Sequence, residues 1–155
     1  MRLNTIGRPS KVELKKCKEA LKFYGRHLLG ENLYHKVTVT LHFDKSLTKT
    51  NEYALCDRTD KTVQARDFII SIDPSLGTRN MLLAIAHEMV HVKQYAKGEL
   101  KDYVRSNKSR WKSEIIDPDK VDYWDYPWEI EAHGREKGLY VRYLNHERGM
   151  SDGLS

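Results

Sequence analysis

The spacing of apolar residues near the start of the chain predicts an amphipathic helix. Ser10 and Glu13 stand three residues apart, which is the spacing of a helix capping box. Apolar residues then recur every three or four positions until Gly30, where glycine predicts the end of the helix. The apolar positions of this predicted helix are Val12, Leu14, Cys17, Ala20, Leu21, Tyr24, Leu28 and Leu29.

A different pattern follows, in which apolar and polar residues alternate one by one. This alternation over residues 37–43 is typical of a half-buried strand. Two further strands are predicted over residues 52–58 and 63–73, and Pro74 ends the last of them. We therefore expect a small, mostly antiparallel sheet of about three strands.

Two more helices are predicted after the strands. Thr78 is placed to cap a helix that runs to about Ala96, with Gly98 as its terminator. After a segment rich in charged and aromatic residues, Pro127 opens a last helix that reaches about Asn145. The order of helix, strands and two helices predicts an α+β fold. Because no repeat or linker interrupts the chain, we expect residues 1–155 to form a single domain.

The composition and charge exclude some classes of protein but do not identify a function. Of 155 residues, 39% are hydrophobic and 32% are charged, and the net charge is +5. This length suits one domain with one sizeable core. No apolar run approaches the ~20 residues of a membrane span, and no secretory signal is visible, so no membrane partner is expected. Since Cys17 and Cys56 stand far apart, we expect a reduced, cytoplasmic protein without a cysteine-based zinc site.

The predicted helix from Thr78 contains the motif H-E-x-x-H at residues 87–91. His87 and His91 differ by about 40° around the helix axis, so both side chains point to one side and can share a metal ion. Glu88 lies about 100° from His87, where it can reach a metal-bound water without being a ligand. Apolar residues surround the motif, which predicts a buried helix. Because buried histidines need partners, a metal is favoured over ordinary hydrogen bonds to core neighbours.

A catalytic zinc site usually has a third protein ligand, and the last helix is the expected donor. Glu129 lies in the middle of its apolar face, where an unpaired carboxylate would be costly. The alternative is a carboxylate that the helix dipole favours, without a metal. His133 and Glu136 share this face and are expected to support the site or, less favourably, to supply the ligand. Glu131 is expected to face solvent and to pair with Arg135.

Two motifs resemble those of known zinc peptidases. Residues 83–91 resemble the active-site helix of zincin metallopeptidases, and residues 129–133 resemble the E-x-x-A-D or E-x-x-A-N element of gluzincins. In that element the first residue, here Glu129, binds zinc and the residue four later supports the site, where this sequence has His133. The chain is also similar to SprT-like domains and to small phage or bacterial metallopeptidases. SprT-like proteins use a third histidine, which keeps His133 as an alternative ligand.

The motifs and the resemblance together predict a zinc-dependent peptidase with one Zn²⁺ per chain, held by the two motif histidines and Glu129. Glu88 is expected to act as general base on the zinc-bound water. Tyr140 or His133 is expected to donate a hydrogen bond to the developing oxyanion. The expected substrate is a peptide or protein, which by similarity to zincins would bind by strand addition at an exposed sheet edge.

A second class of function stays open, namely a basic zinc-containing module that binds nucleic acid or protein without peptidase turnover. Basic residues with interleaved aromatics could contact phosphates and bases, although a solvated surface is the favoured interpretation. Glu88 favours the enzyme, since a structural zinc site needs no carboxylate near an open position. The tryptophans of segment 111–128 are expected to pin this segment to the core, with an aromatic wall beside the cleft as the alternative. The basic residues are Lys101, Arg105, Lys108, Arg110 and Lys112.

Overall fold

The computed structural model describes residues 1–60 and 64–149. Its centre is a four-stranded mixed sheet with the strand order β1-β2-β4-β3. β1 pairs with β2 and β2 pairs with β4 in parallel, whereas β3 pairs with β4 antiparallel. The sheet therefore has β1 and β3 at its two edges. The strands are β1 (Arg2–Ile6), β2 (Thr38–Phe43), β3 (Ala54–Arg58) and β4 (Asp67–Ile72).

The α+β class is confirmed, but the expectation of three mostly antiparallel strands is wrong. β2, β3 and β4 lie within the three predicted strand regions, and the predicted strand residue Val63 lies outside the described residues. The sequence pattern misses β1 because its two large apolar residues, Leu3 and Ile6, do not alternate. Two of the three pairings are parallel, and parallel neighbours require a crossover connection. A helix joins β1 to β2, and the chain passes through β3 between β2 and β4.

α1 (Leu14–Tyr34) provides this crossover and begins later than the capping-box pattern predicts. Glu13 occupies the N-cap position, whereas the backbone N–H of Ser10 donates to the carbonyl of Pro74 at 2.8 Å. The predicted cap is therefore wrong, because Ser10 is held by the loop that follows β4. The predicted break at Gly30 is present, with a φ of 74°, but one further helical turn follows it.

Two long helices, α3 (Thr78–Ala96) and α4 (Pro127–Glu147), follow the sheet. The bounds of α3 agree with the predicted helix, although its N-cap is Gly77, one residue before the predicted cap. Gly98 follows the helix end with a φ of 70°, a left-handed conformation that glycine adopts without strain. Pro127 opens α4 as predicted. Among the described residues, no helix has the length and apolar character needed to cross a membrane.

One face of the sheet is buried against α1 and α3. Burial alternates along β2 and β4, so that every second side chain of these strands points into the core. α4 packs against α3 and also contacts α1, and α3 contacts β3 and β4. The single turn α2 (Leu47–Thr50) connects β2 to β3. The pair formed by α3 and α4 therefore lies beside the edge strand β3.

A second, antiparallel sheet lies in the segment that the sequence pattern predicts as a loop. Its strands are short and carry too few alternating apolar residues to be recognised. Two 3-10 turns, Pro118–Lys120 and Tyr123–Asp125, then lead into α4. The strands are β5 (Leu100–Tyr103), β6 (Lys108–Trp111) and β7 (Glu114–Ile116).

Asp102 of β5 fixes the second sheet to the rest of the molecule. Its carboxylate accepts hydrogen bonds from Arg58 Nη2 at 3.2 Å, from the Tyr95 hydroxyl at 2.9 Å and from Ser109 Oγ at 2.9 Å. Arg58 is the last residue of β3 and Tyr95 is on the last turn of α3. One side chain therefore holds the second sheet against both elements that border the candidate site.

Candidate metal centre

α3 places both motif histidines on the side that faces α4. His87 and His91 are one helical turn apart, and their side chains are 12% and 10% exposed. As the four-residue spacing predicts, the two rings converge, and their Nε2 atoms are 3.2 Å apart. The apolar residues around the motif belong to the core, so α3 is the buried helix that the sequence predicts.

Glu129 on the first turn of α4 completes a triangle of donor groups, namely the two imidazole Nε2 atoms and its own carboxylate. Its Oε2 atom lies 3.2 Å from His87 Nε2, and its Oε1 atom lies 3.2 Å from His91 Nε2. Ligand atoms bonded to zinc at about 2.0–2.1 Å with tetrahedral angles lie about 3.3–3.4 Å from one another. The closest approaches between the three groups, which use both carboxylate oxygens, are near this spacing. Two imidazoles and one carboxylate are therefore close enough to hold one cation.

Among the described residues, two groups of histidine and carboxylate side chains are close enough to share one cation. The second group also contains His87, with His133 and Glu136 as the other members. His133 Nδ1 lies 3.6 Å from Glu136 Oε2, and the side chain of His133 is 36% exposed. The group with Glu129 is more buried, which favours it as the candidate metal site. Neither group contains the three histidines that the SprT-like alternative requires.

The second ring nitrogen of each motif histidine has its own partner. His87 Nδ1 lies 2.7 Å from Glu136 Oε2, and His91 Nδ1 lies 2.8 Å from Gln94 Oε1. Both partners accept a hydrogen bond through oxygen, so each Nδ1 carries the proton and each Nε2 points at the centre of the triangle. The expected support by Glu136 agrees with this arrangement. The sequence analysis misses Gln94. The helical spacing of three residues could have indicated its contact with His91, but not its contacts with α4.

Charge holds these side chains together in the protein itself. Burial lowers the pKa of His87, but hydrogen bonds to Glu129 and Glu136 outweigh this effect and raise the pKa to about 10. The pKa of His91 is also raised, because the bond to Glu129 overcomes the effect of burial. Burial opposes ionisation of Glu129, yet the bonds from both histidines hold its pKa well below the usual range. A cation must displace protons from these histidines, so its affinity should rise with pH.

Glu88 faces the cleft and is not part of the triangle. Its side chain is buried, and burial raises the pKa of its carboxyl, while the nearby His91 and His87 oppose this shift. A carboxyl with a raised pKa is better matched to accepting a proton near neutral pH than an exposed one. Glu88 also lines both cavities of the cleft. It is therefore placed to act on a molecule bound beside the triangle.

The cleft consists of two cavities, of about 370 and 250 Å³, that flank His87 and Glu88. Ala54, the first residue of the edge strand β3, lines both cavities, so β3 borders the cleft. Tyr123 also lines both. The larger cavity is otherwise mostly apolar and includes Tyr53, Leu76, Leu83 and Ala84. The smaller one includes Leu55, Cys56, Leu100 and Trp128.

The hydroxyl at the site comes from Tyr123 and not from Tyr140. The Tyr123 hydroxyl donates to Glu129 Oε2 at 2.8 Å and accepts from His133 Nε2 at 3.1 Å. Tyr140 does not reach the site, because it lies three turns, about 16 Å, beyond Glu129 along α4. It packs against the hydrophobic core instead. The expected catalytic role of Tyr140 is therefore not supported, whereas His133 does lie at the larger cavity. The sequence analysis does not single out Tyr123 because the turn over residues 123–125 brings it back over α4.

The environment of Glu131 also differs from the expectation. Its bond from Arg135 Nε at 3.2 Å is present. The carboxylate does not face solvent, however, because it is 17% exposed and accepts from Lys93 Nζ at 2.8 Å and from Gln94 Nε2 at 3.0 Å. The long side chains of α3 reach around α4 to this position. Glu131 therefore connects α4 to α3 and is not an exposed residue on the surface of α4.

The aromatic segment before α4 has two roles. Trp128 is buried and lines the smaller cavity, and Tyr126 stacks on it with ring centroids 4.8 Å apart. Trp124 is 67% exposed, and its ring lies 5.1 Å from that of His133. Some of these side chains thus pin the segment to the core, as expected, while Tyr123 and Trp124 lie beside the cleft.

Known proteins offer no direct guide to this site. No protein-family model matches the chain, and no curated protein or solved structure matches it. The function must therefore be argued from the residues that meet between α3, α4 and β3.

Proposed function

We propose that this protein is a zinc-dependent peptidase of the zincin type, with His87, His91 and Glu129 as the metal ligands. The observation that carries the proposal is the convergence of two imidazoles and one carboxylate. The closest approach between each pair of groups is 3.2 Å, with the two carboxylate oxygens each facing one ring. Three protein ligands leave a fourth position for water, which distinguishes a hydrolytic zinc site from a structural one. The resemblance of residues 129–133 to the E-x-x-A-D element of gluzincins supports the same ligand set.

Bound zinc supplies a Lewis acid that polarises a substrate carbonyl and lowers the pKa of a water molecule. Glu88 is positioned to accept the proton of the attacking water and to deliver it to the leaving amine. Glu136 and Gln94 hold the rings of His87 and His91 in the orientation that directs Nε2 to the metal. A buried carboxyl facing an open cavity has no use in a purely structural site, so Glu88 supports the enzyme over a binding module.

The free edge of β3 supports a peptide as the substrate. Within the described residues β3 pairs only with β4, so its outer edge has backbone groups available for an added strand. An extended peptide paired with β3 would pass both cavities that flank His87 and Glu88. Each cavity would accept a side chain on one side of the scissile bond. Because Ala54 lines both cavities together with His87 and Glu88, this pairing supports cleavage of a bond near the triangle.

Zinc content and hydrolysis test the proposal together. We expect purified protein to bind one zinc ion per chain by elemental analysis. The zinc-loaded protein should cleave members of a denatured peptide library, with new N-termini detected by mass spectrometry. A chelator should stop cleavage, and added zinc should restore it. Absence of zinc binding after zinc addition would contradict the proposal, and zinc binding without any cleavage would favour the binding module.

Tyr123→Phe should lower kcat on such a peptide by about 10²–10³-fold, the usual cost of losing one donor to an oxyanion. The Tyr123 hydroxyl is at the metal triangle and can turn from Glu129 to the negative charge that develops on the substrate carbonyl. Tyr140→Phe is the matched control and should leave kcat unchanged. Initial rates at equal zinc occupancy check this prediction. A larger loss in Tyr140→Phe than in Tyr123→Phe would reverse the assignment.

A further inference from the structure

We infer that Gln94 is a positioning residue for proposed zinc ligands on two helices. It fixes the ring of His91 on α3, and it holds the backbone of α4 beside Glu129. The inference rests on the proposed zinc site. It concerns how the triangle of donor groups is kept in place, which the motif itself does not explain.

The hydrogen bonds of Gln94 define its orientation. The side chain is fully buried, and its Nε2 group donates to the carbonyl of Trp128 at 2.9 Å and to Glu131 Oε1 at 3.0 Å. Only the NH₂ group can donate to these two oxygens, so the amide oxygen must face His91. That oxygen lies 2.8 Å from His91 Nδ1. Since an amide oxygen only accepts, His91 must carry a proton on Nδ1, which leaves Nε2 as the ring atom that faces Glu129 and the proposed metal position.

The same amide reaches both sides of the third ligand on α4. Trp128 immediately precedes Glu129, and Glu131 follows it by two residues. A sliding or rotation of α4 that moved Glu129 away from the histidines would break both bonds from Gln94. Lys93, which is 8% exposed, pairs with Glu131 at 2.8 Å and strengthens this connection. Gln94 therefore links the position of α4 to the orientation of His91 on α3.

Packing alone does not require a polar side chain at this position. A buried amide is costly unless it is hydrogen-bonded, and a leucine or methionine of similar volume would fill the space between two helices. The three bonds of Gln94 reach one proposed ligand, His91, and two residues close to Glu129 in the chain. These are Trp128, which precedes Glu129, and Glu131, which follows it by two positions. This selection of partners is the reason to assign it a role in ligand positioning.

Gln94→Leu removes all three bonds at nearly constant volume. We expect its zinc affinity to fall by about 10–100-fold, the range found when a group that supports a metal ligand is lost. Competition titration with zinc and a chelating dye measures this loss. In the metal-free protein, at a pH high enough for the His91 ring to be neutral, ¹⁵N chemical shifts of that ring should report a proton on Nδ1 in the natural chain and a mixture of tautomers in the variant. Gln94→Glu keeps the acceptor for His91 but loses the donors to α4, so its zinc affinity should be intermediate.

Tyr24→Phe is the matched control. It removes another buried bond between helices, from the Tyr24 hydroxyl to the carbonyl of Leu82 at 3.1 Å, on the part of α3 that faces α1. It should lower the Tm and leave zinc affinity and the His91 tautomer unchanged. Equal losses of zinc affinity in Tyr24→Phe and Gln94→Leu, or natural affinity in both Gln94 variants, would overturn the inference.

The inference and the proposed function can fail separately. If the natural chain binds no zinc, the proposed function fails, while the tautomer of His91 still tests Gln94 in the metal-free protein. If Gln94→Leu does not fold, Gln94→Glu must show the intermediate affinity. Natural zinc affinity in that variant would then overturn the inference.

Discussion

Glu88→Gln is expected to abolish peptide hydrolysis by the zinc-loaded protein while zinc remains bound. Glutamine has nearly the size of glutamate and can stay buried at this position. Its amide group, however, cannot accept a proton as the carboxylate does. General-base catalysis contributes about 10²–10⁴-fold, so cleavage should fall by at least this range. Because Glu88 is outside the triangle of donor groups, the zinc content should stay at one per chain. Initial cleavage rates at matched zinc occupancy provide the measurement.

A matched control separates the loss of this carboxylate from a general change in charge. Glu19→Gln removes a carboxylate from the exposed face of α1, where its only ion pair is with Lys15 at 3.8 Å among the described residues. This control should cleave at the natural rate. Natural cleavage by Glu88→Gln would show that another group accepts the proton and would remove the central role assigned to Glu88.

Glu129→Ala is expected to cause the largest loss of zinc affinity among single substitutions on α4. It removes one corner of the triangle and the acceptor that holds both histidine rings. His133→Ala should cost no more than about 10–100-fold, because His133 contacts the site through Tyr123 and Glu136 and is only a supporting group. Competition titration against a chelating dye ranks the two variants on one scale.

Glu131→Ala provides the comparison on the same helix. It should leave most of the zinc affinity but destabilise the fold by about 1–3 kcal/mol, since Lys93 and Gln94 lose a buried acceptor. Thermal unfolding of the metal-free protein measures this effect. Should His133→Ala prove the most damaging variant and Glu129→Ala mild, the site would be of the three-histidine, SprT-like kind and the gluzincin assignment would be withdrawn.

Helical periodicity predicts most of the metal centre because its residues are fixed by local geometry. The bounds of α3 and the start of α4 agree with the sequence pattern, and Glu129 lies where the apolar face of α4 predicts. The same reasoning misplaces Glu131, since a helical projection cannot show that Lys93 and Gln94 extend from a neighbouring helix. Gln94 is missed for the same reason, because its role depends on the packing of two helices.

The parts of the fold that the sequence does not predict depend on contacts between distant segments. β1 has no alternating apolar pattern and is a strand because β2 lies beside it. The pairing of β2 with β4 skips the intervening β3, which no local pattern indicates. Tyr123 reaches Glu129 only because a 3-10 turn reverses the chain before α4. Each of these features is decided by tertiary packing rather than by propensity.

The proposed ligands His91 and Glu129 are separated by residues 92–128, the segment that carries the second sheet and Tyr123. A metal bound between His91 and Glu129 would cross-link the chain and close a loop of roughly 40 residues. By the chain-entropy reasoning used for disulfides, closing such a loop restricts the unfolded chain by about 4 kcal/mol. Metal loss would therefore loosen this segment before the main sheet, and proteolytic nicking between α3 and α4 would become a direct report of metal occupancy.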